Sequence, residues 1–326
     1  MKTSFKFLGI VATLTIAAST LAVPAAAQDE SMAPAAEMTS TACLLAPAST
    51  TPYSSRINKQ IQDYGAQMGI EVTVLSAEQD AAVQVDQMRD CIAQGVNGII
   101  LIAADTEALC PVLQEAKDAG IPVLTSNAGV SCTDLVQGFT GPNYTLQAQI
   151  MGKYTCDTLL PDGGNVAIVS GALGYSATIE RTDGFTSTIA ELCPDKVTVI
   201  DTQPTDWSRQ SALQIARDYV TKYGDTLDMI YAEDDTLAAG VAEGLEQSGL
   251  AAGDVILTGI GGNVDGFDLM TNGWMQATIY QSPVIDGTLS VDTMLRILAG
   301  ETIESNIPID SPVITPDNMA DFEPAY

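Results

Sequence analysis

What most constrains this chain is a repeated alternation. Eight short apolar runs, "ACLLAPA", "EVTVLSA", "GIILIAA", "IPVLTSN", "NVAIVSG", "VTVIDTQ", "LDMIYAE" and "DVILTGI", punctuate residues 42 to 260. Stretches of helical periodicity separate most of them, over 54–68, 81–94, 106–119, 145–160, 177–192, 208–222 and 236–248. In the first of these Ile57, Ile61, Tyr64 and Met68 share a face, and in the second Val85, Met88 and Ile92 do. Unbroken apolar strands alternating with amphipathic helices predict an α/β fold whose parallel sheets are covered on both sides.

The alternation also repeats itself. "VTVLSAEQDAAVQVDQM" from residue 72 and "VTVIDTQPTDWSRQSALQI" from residue 197 each read as strand, polar loop and helix. Each leads into another apolar strand, "GIILIAAD" and "DMIYAEDD". This coarse duplication predicts two similar α/β lobes. Ligands of such sheets bind beyond the carboxyl ends of the strands, so two facing lobes would line one shared cleft.

Ahead of this pattern, residues 1–27 read as an export signal. Lys2 and Lys6 precede the apolar "FLGIVATLTIAASTLAV", and "AAA" at 25–27 is a small-residue cleavage site before Gln28. Residues 28–40, "QDESMAPAAEMTS", read as a flexible leader. A cleaved signal without a lipoprotein cysteine predicts a soluble exported product.

Composition then removes several classes of function. With 41 acidic against 13 basic residues, the net charge of −28 repels nucleic acid and anionic lipid. The absence of histidine removes the usual Ser-His and Cys-His nucleophiles and the commonest zinc ligand. No cofactor or metal is expected. The "GIGGN" at 259–263 lacks the spacing of a phosphate-binding loop. Six cysteines form no C-x-x-C motif and suit an oxidising compartment. Cys156 with Cys193 and Cys110 with Cys132 are the favoured pairs, each flanking one strand–helix unit. Cys43 with Cys91 is the remainder, and one pair left reduced is the alternative.

The informative polar and aromatic residues follow the strands. They are Thr51, Tyr53 and Ser54, then Asn127, then Tyr175, Glu180 and Arg181, then Asp206 and Trp207, then Asp234 and Asp235, and finally Gln281. Flat rings that stack on a C–H face, with carboxylates and amides that meet hydroxyls, suit a neutral polyhydroxylated ligand. Within "YAEDDTLAAG", Asp235 falls where a helix N-cap belongs, which would aim Asp234 into the cleft. Arg181 is expected either to touch ligand or to pair with Glu180 or Asp183.

Read together, "TTPYSS", "QGVNGIILIAAD", "AGIPVLTSN", "SGALGYSATIERTDGF", "QPTDWSRQSAL", "IYAEDDTLAAGVAEGL" and "GGNVDGFDLMTNGWMQATIYQSP" resemble the type I periplasmic binding proteins. The likeness covers residues 41–315 and points to the ribose/galactose-binding group that serves ABC sugar importers. It implies two Rossmann-like lobes, 41–141 plus 282–311 and 142–281 plus 312–326, that close on a ligand about a hinge. It further implies that Tyr53 and Trp207 stack on the sugar, that Asn127 and Asp234 meet it, and that Gln281 contacts it from the hinge. Three charged positions of the group are replaced, by Ala128, Ile179 and Gly261. The expected partners are an inner-membrane permease and, as a further candidate, a chemoreceptor, with the protein monomeric in the periplasm.

Three other readings stand beside this one, the first being a binding protein for a small metabolite that is not a sugar. A secreted hydrolase could use Asp206, Asp234 or Glu180 as acid and base. A regulator's effector module could share the fold, although the export signal argues against it.

Overall fold

The computed structural model describes residues 40–326, so the expected export signal and nearly all of the leader lie outside the described residues. Strands β1 (Ser40–Ala46), β2 (Ile70–Ser76), β3 (Gly98–Leu101), β4 (Val123–Ser126) and β5 (Gly138–Pro142) form one parallel sheet with β11 (Asn306–Ile309). Its order is β11-β5-β4-β3-β1-β2. The strands earn central places by being apolar on both sides. In β1, Ala42 and Leu44 face helices α1 (Pro52–Gln67) and α9 (Pro283–Leu298), while Cys43 and Leu45 face α2 (Ala81–Gln94) and α3 (Cys110–Asp118).

The second sheet repeats the plan with the order β7-β6-β8-β9. Its strands are β6 (Gly164–Ser170), β7 (Val197–Pro204), β8 (Met229–Ala232) and β9 (Ile256–Thr258). Ala167, Val169, Ile230 and Ala232 pack toward α6 (Arg209–Tyr223) and α7 (Asp235–Gln247). Val166, Ile168, Met229 and Tyr231 pack toward α4 (Tyr144–Tyr154) and α5 (Ser176–Leu192), where Phe185 stacks on Tyr231 at 4.4 Å. The short strand β10 (Thr278–Ile279) sits beside β9 through isolated bridges and pairs antiparallel with β12 (Val313–Ile314). The chain passes from one sheet to the other three times, after β5, after β10 and after β11.

Several boundaries differ from expectation for local reasons. Helix α3 begins at Cys110 rather than 106, because Asp105 accepts from the Glu107 and Ala108 N–H groups and holds a turn there. Helix α4 ends at Tyr154, and residues 155–159 widen into a π turn. Strand β5 and helices α8 (Val264–Thr271) and α9 carry weaker patterns than the rest. Gly138, Gly141 and Pro142 leave β5 with Phe139 as its one large apolar side chain. Helix α9 is fixed instead by its start, where Ser282 accepts from the Ile285 N–H and Pro283 occupies the first turn.

The three expected disulfides are present, Cys43–Cys91, Cys110–Cys132 and Cys156–Cys193. No described helix is long and apolar enough to cross a membrane.

Candidate ligand-binding cleft

A cavity of about 70 Å³ lies between the carboxyl ends of the two sheets. Nine of the twelve residues singled out in the sequence line it: Thr51, Tyr53, Ser54, Asn127, Tyr175, Arg181, Trp207, Asp234 and Gln281. Each owes its place to a strand end. Thr51 is the N-cap of α1, accepting from the Ser54 N–H, which brings Tyr53 and Ser54 to the mouth of the first lobe. Asn127 follows β4 and adopts a left-handed backbone, with φ of 57°.

Trp207 follows β7 and is also left-handed, with φ of 64°, a conformation that costs a bulky residue free energy. The Trp207 N–H is held by Thr205 Oγ1 at 3.1 Å. The indole then lies directly on Gly171, where a Cβ would stand 1.9 Å from the ring. It meets Tyr175 edge-on at 5.8 Å and packs against the cores of both lobes. Strain at two cleft residues marks positions that the surrounding fold over-determines.

Behind the first-lobe wall sits Asp286, fully buried on α9. Its Oδ2 accepts from Tyr53 Oη at 2.9 Å and from Asn127 Nδ2 at 3.1 Å, so one carboxylate orients two cleft side chains. Its Oδ1 has no partner. Burial pushes the Asp286 carboxyl up to about 7. Tyr175 Oη donates to Asn127 Oδ1 at 3.3 Å, and the Gly129 N–H to Ser176 Oγ at 3.2 Å; both bonds tie one lobe to the other.

Arg181 makes neither expected ion pair. Residues at i−1 and i+2 leave a helix on other faces, and the buried guanidinium instead meets neutral acceptors. Nη1 donates to the Glu233 carbonyl at 2.5 Å, and Nη2 to Gln147 Oε1 at 3.1 Å and Gln281 Oε1 at 2.7 Å. The Tyr144 ring lies 4.7 Å beneath it. Gln147 in turn donates to Ser311 Oγ at 2.9 Å.

The cap expected of Asp235 falls to Asp234. Helix α7 starts at Asp235, one residue early, so the extended residue before it, Asp234, is the N-cap and accepts from the Thr236 N–H at 2.7 Å. Asp234 still lines the cavity while capping. Asp235 is not a cap. It points into the core, where Thr278 Oγ1 and the Asn263 N–H donate to it at 2.7 and 3.1 Å. Burial and the Asp234 charge push its carboxyl up to about 7. Side chains at 259 or 266 would strike this carboxylate, at 2.2 and 2.4 Å, so Gly259, the first residue of "GIGGN", and Gly266 make room for a buried acid.

Glu180 is not in the cleft. It lines a separate groove with Phe139, Asn143 and Ser305 and accepts from Thr145 Oγ1. Being next to Arg181 on one helix aims it elsewhere. Asp206 is likewise drawn to its own loop by Ser208 and Ser211. Two lining aromatics escaped the sequence reading. Tyr144 opens a helix and looked like core, while Tyr326 follows no strand of the repeating pattern. Among the described residues no cluster of three or more acidic, Cys or His side chains could hold a metal.

Residues 42–302 match the family model described as a periplasmic binding protein domain. The chain belongs to that family. It is similar to a xylitol-binding protein of Mycolicibacterium smegmatis, 28% identical over 256 residues that cover 78% of this chain and 72% of the relative. A putative rhizopine-binding protein of Rhizobium meliloti is 26% identical, with 83% of this chain and 88% of the relative covered. Among solved structures, an ABC transporter solute-binding protein from Bacillus halodurans with bound myo-inositol superposes with a TM-score of 0.81 at 23% identity. That superposition covers 89% of this chain and 98% of the other, and it shows the fold.

Proposed function

We propose that the protein is the exported receptor of an ABC importer, capturing one small neutral sugar or polyol between its lobes and delivering it unchanged to an inner-membrane permease. The observation that carries this reading is the juxtaposition of Tyr53 from the first lobe with Trp207, Tyr175 and Asp234 from the second around one cavity. Rings on both sides offer stacking faces, and Asp234 and Asn127 offer hydrogen bonds to hydroxyls. Relatives named for xylitol, ribose and rhizopine binding point to the same ligand chemistry. In this reading residues 1–27 are the export signal, the protein works as a monomer in the periplasm, and a chemoreceptor is a second candidate partner. The lobes are 41–141 plus 282–311 and 142–281 plus 312–326.

A hydrolase needs two carboxylates facing one bond, whereas Asp234 is the one carboxylate among the described residues that line the cavity. The test is titration calorimetry with neutral monosaccharides and polyols. One-to-one binding with the ligand recovered intact supports the proposal; release of a hydrolysis product refutes it.

A further inference from the structure

The segment from Thr315 to Tyr326 returns to the cleft after the last strand. Asn318 anchors its start, accepting from the Thr315 N–H at 2.7 Å and donating to the Val313 carbonyl at 3.0 Å. Phe322 packs on Tyr280 at 5.8 Å. Two backbone bonds fix its far end, Ala325 N–H to the Gly262 carbonyl at 2.8 Å and Val264 N–H to the Tyr326 carbonyl at 3.2 Å. The segment is thereby held to the second lobe, and it lodges the Tyr326 phenol in the cavity wall. There the ring meets Tyr53 of the first lobe edge-on, with centroids 5.5 Å apart and planes at 88°.

The hydroxyl stands over Gly261, 3.2 Å from where a Cβ at that position would lie. A side chain at 261 would compete for the same space, so the glycine and the tyrosine fit as a pair. The hydroxyl is buried, and among the described residues its proton finds no acceptor, Asn263 presenting only its amide N–H side to the phenol. The nearby Asn263 spends its side-chain oxygen on the Gly266 N–H. A buried hydroxyl proton without an acceptor is costly, and the side chain that carries it lines the cavity.

We infer that Tyr326 is a specificity-determining residue that contacts the ligand, its hydroxyl bonding a neutral hydroxyl of the bound sugar or polyol above Gly261. The inference rests on the sugar or polyol reading given above. Asp234 and Asp235 act on the phenol with one sign and Arg181 with the other, and a ligand hydroxyl, which both donates and accepts, suits a phenol placed among them.

The test compares the full chain with its Tyr326→Phe variant by calorimetry against ribose, L-arabinose, xylitol and myo-inositol, with melting of both unliganded proteins alongside. Phe keeps the ring, its contact with Tyr53 and the backbone bonds. The expected result is about a tenfold loss of affinity for the tightest-binding of the four, with the melting temperature of the unliganded variant unchanged or raised. Affinity within twofold of the parent overturns the inference and leaves the sugar or polyol reading standing. Affinity loss accompanied by a lowered melting temperature also overturns it, assigning Tyr326 to the fold. If the parent binds none of the four, the ligand reading falls and the inference falls with it.

Discussion

Replacing Asp286 by Asn should change how stability depends on pH more than it changes stability itself. In the folded protein the Asp286 carboxyl is raised to about 7 by burial, whereas in the unfolded chain it returns to the ordinary range near 4. Between those values the folded state holds a proton that the unfolded state has released. Stability contributed by this group is therefore complete below about pH 4 and falls as pH rises to about 7. A displacement of about 3 pH units at 1.36 kcal/mol each sets an upper bound of about 4 kcal/mol. Asn is neutral throughout and keeps an oxygen for Tyr53 Oη and Asn127 Nδ2, although its new N–H groups must find room where Oδ1 has no partner. Relative to the parent, Asp286→Asn should gain up to about 4 kcal/mol between pH 4 and pH 8. Urea denaturation of both proteins across that range reads the difference directly. Parallel pH profiles would show that Asp286 titrates normally and that the Tyr53–Asp286–Asn127 triangle is not its environment.

The remaining predictions concern the cleft and the crosslinks. Trp207→Ala should weaken ligand binding by about 1–3 kcal/mol while leaving the protein folded, and unchanged affinity in calorimetry would remove the indole from the contact surface. Asp234→Asn should preserve α7, since Asn caps a helix as well as Asp does, yet lower affinity; a fall in melting temperature with affinity intact would make Asp234 purely a cap. Removing the Cys43–Cys91 pair should cost about 0.7 kcal/mol more than removing Cys110–Cys132, because it closes 48 rather than 22 residues. Chemical denaturation of the two double Cys→Ala variants decides this, and a reversed order refutes the loop-length argument.

The fold was legible because strands such as "GIILIAA" are buried on both faces and the helices between them have one apolar face each, two patterns that cannot be exchanged. Strand β5 was not, since a run of Gly, Phe, Thr, Gly and Pro holds its place by pairing with β4 and β11, not by its own hydrophobicity. In the cleft, strand-end position was a sufficient signal for Tyr53, Asn127 and Trp207. It misled for Glu180, where the decisive fact is rotation about a helix axis, 100° per residue. The shift of the cap from Asp235 to Asp234 turned on a single residue of helix start, finer than any periodicity can set. Tyr326 carried no local signal at all, because its placement depends on where a twelve-residue return path ends.

The guanidinium of Arg181 reaches, directly or through Gln147, the neighbourhood of every strand joining the two lobes: the start of α4, Gln281 after β10, and Ser311 after β11. Three separate straps are thus knotted at one interior cation. The mechanical consequence is that the three crossings share one anchor, so a change at Arg181 would be felt in all of them together.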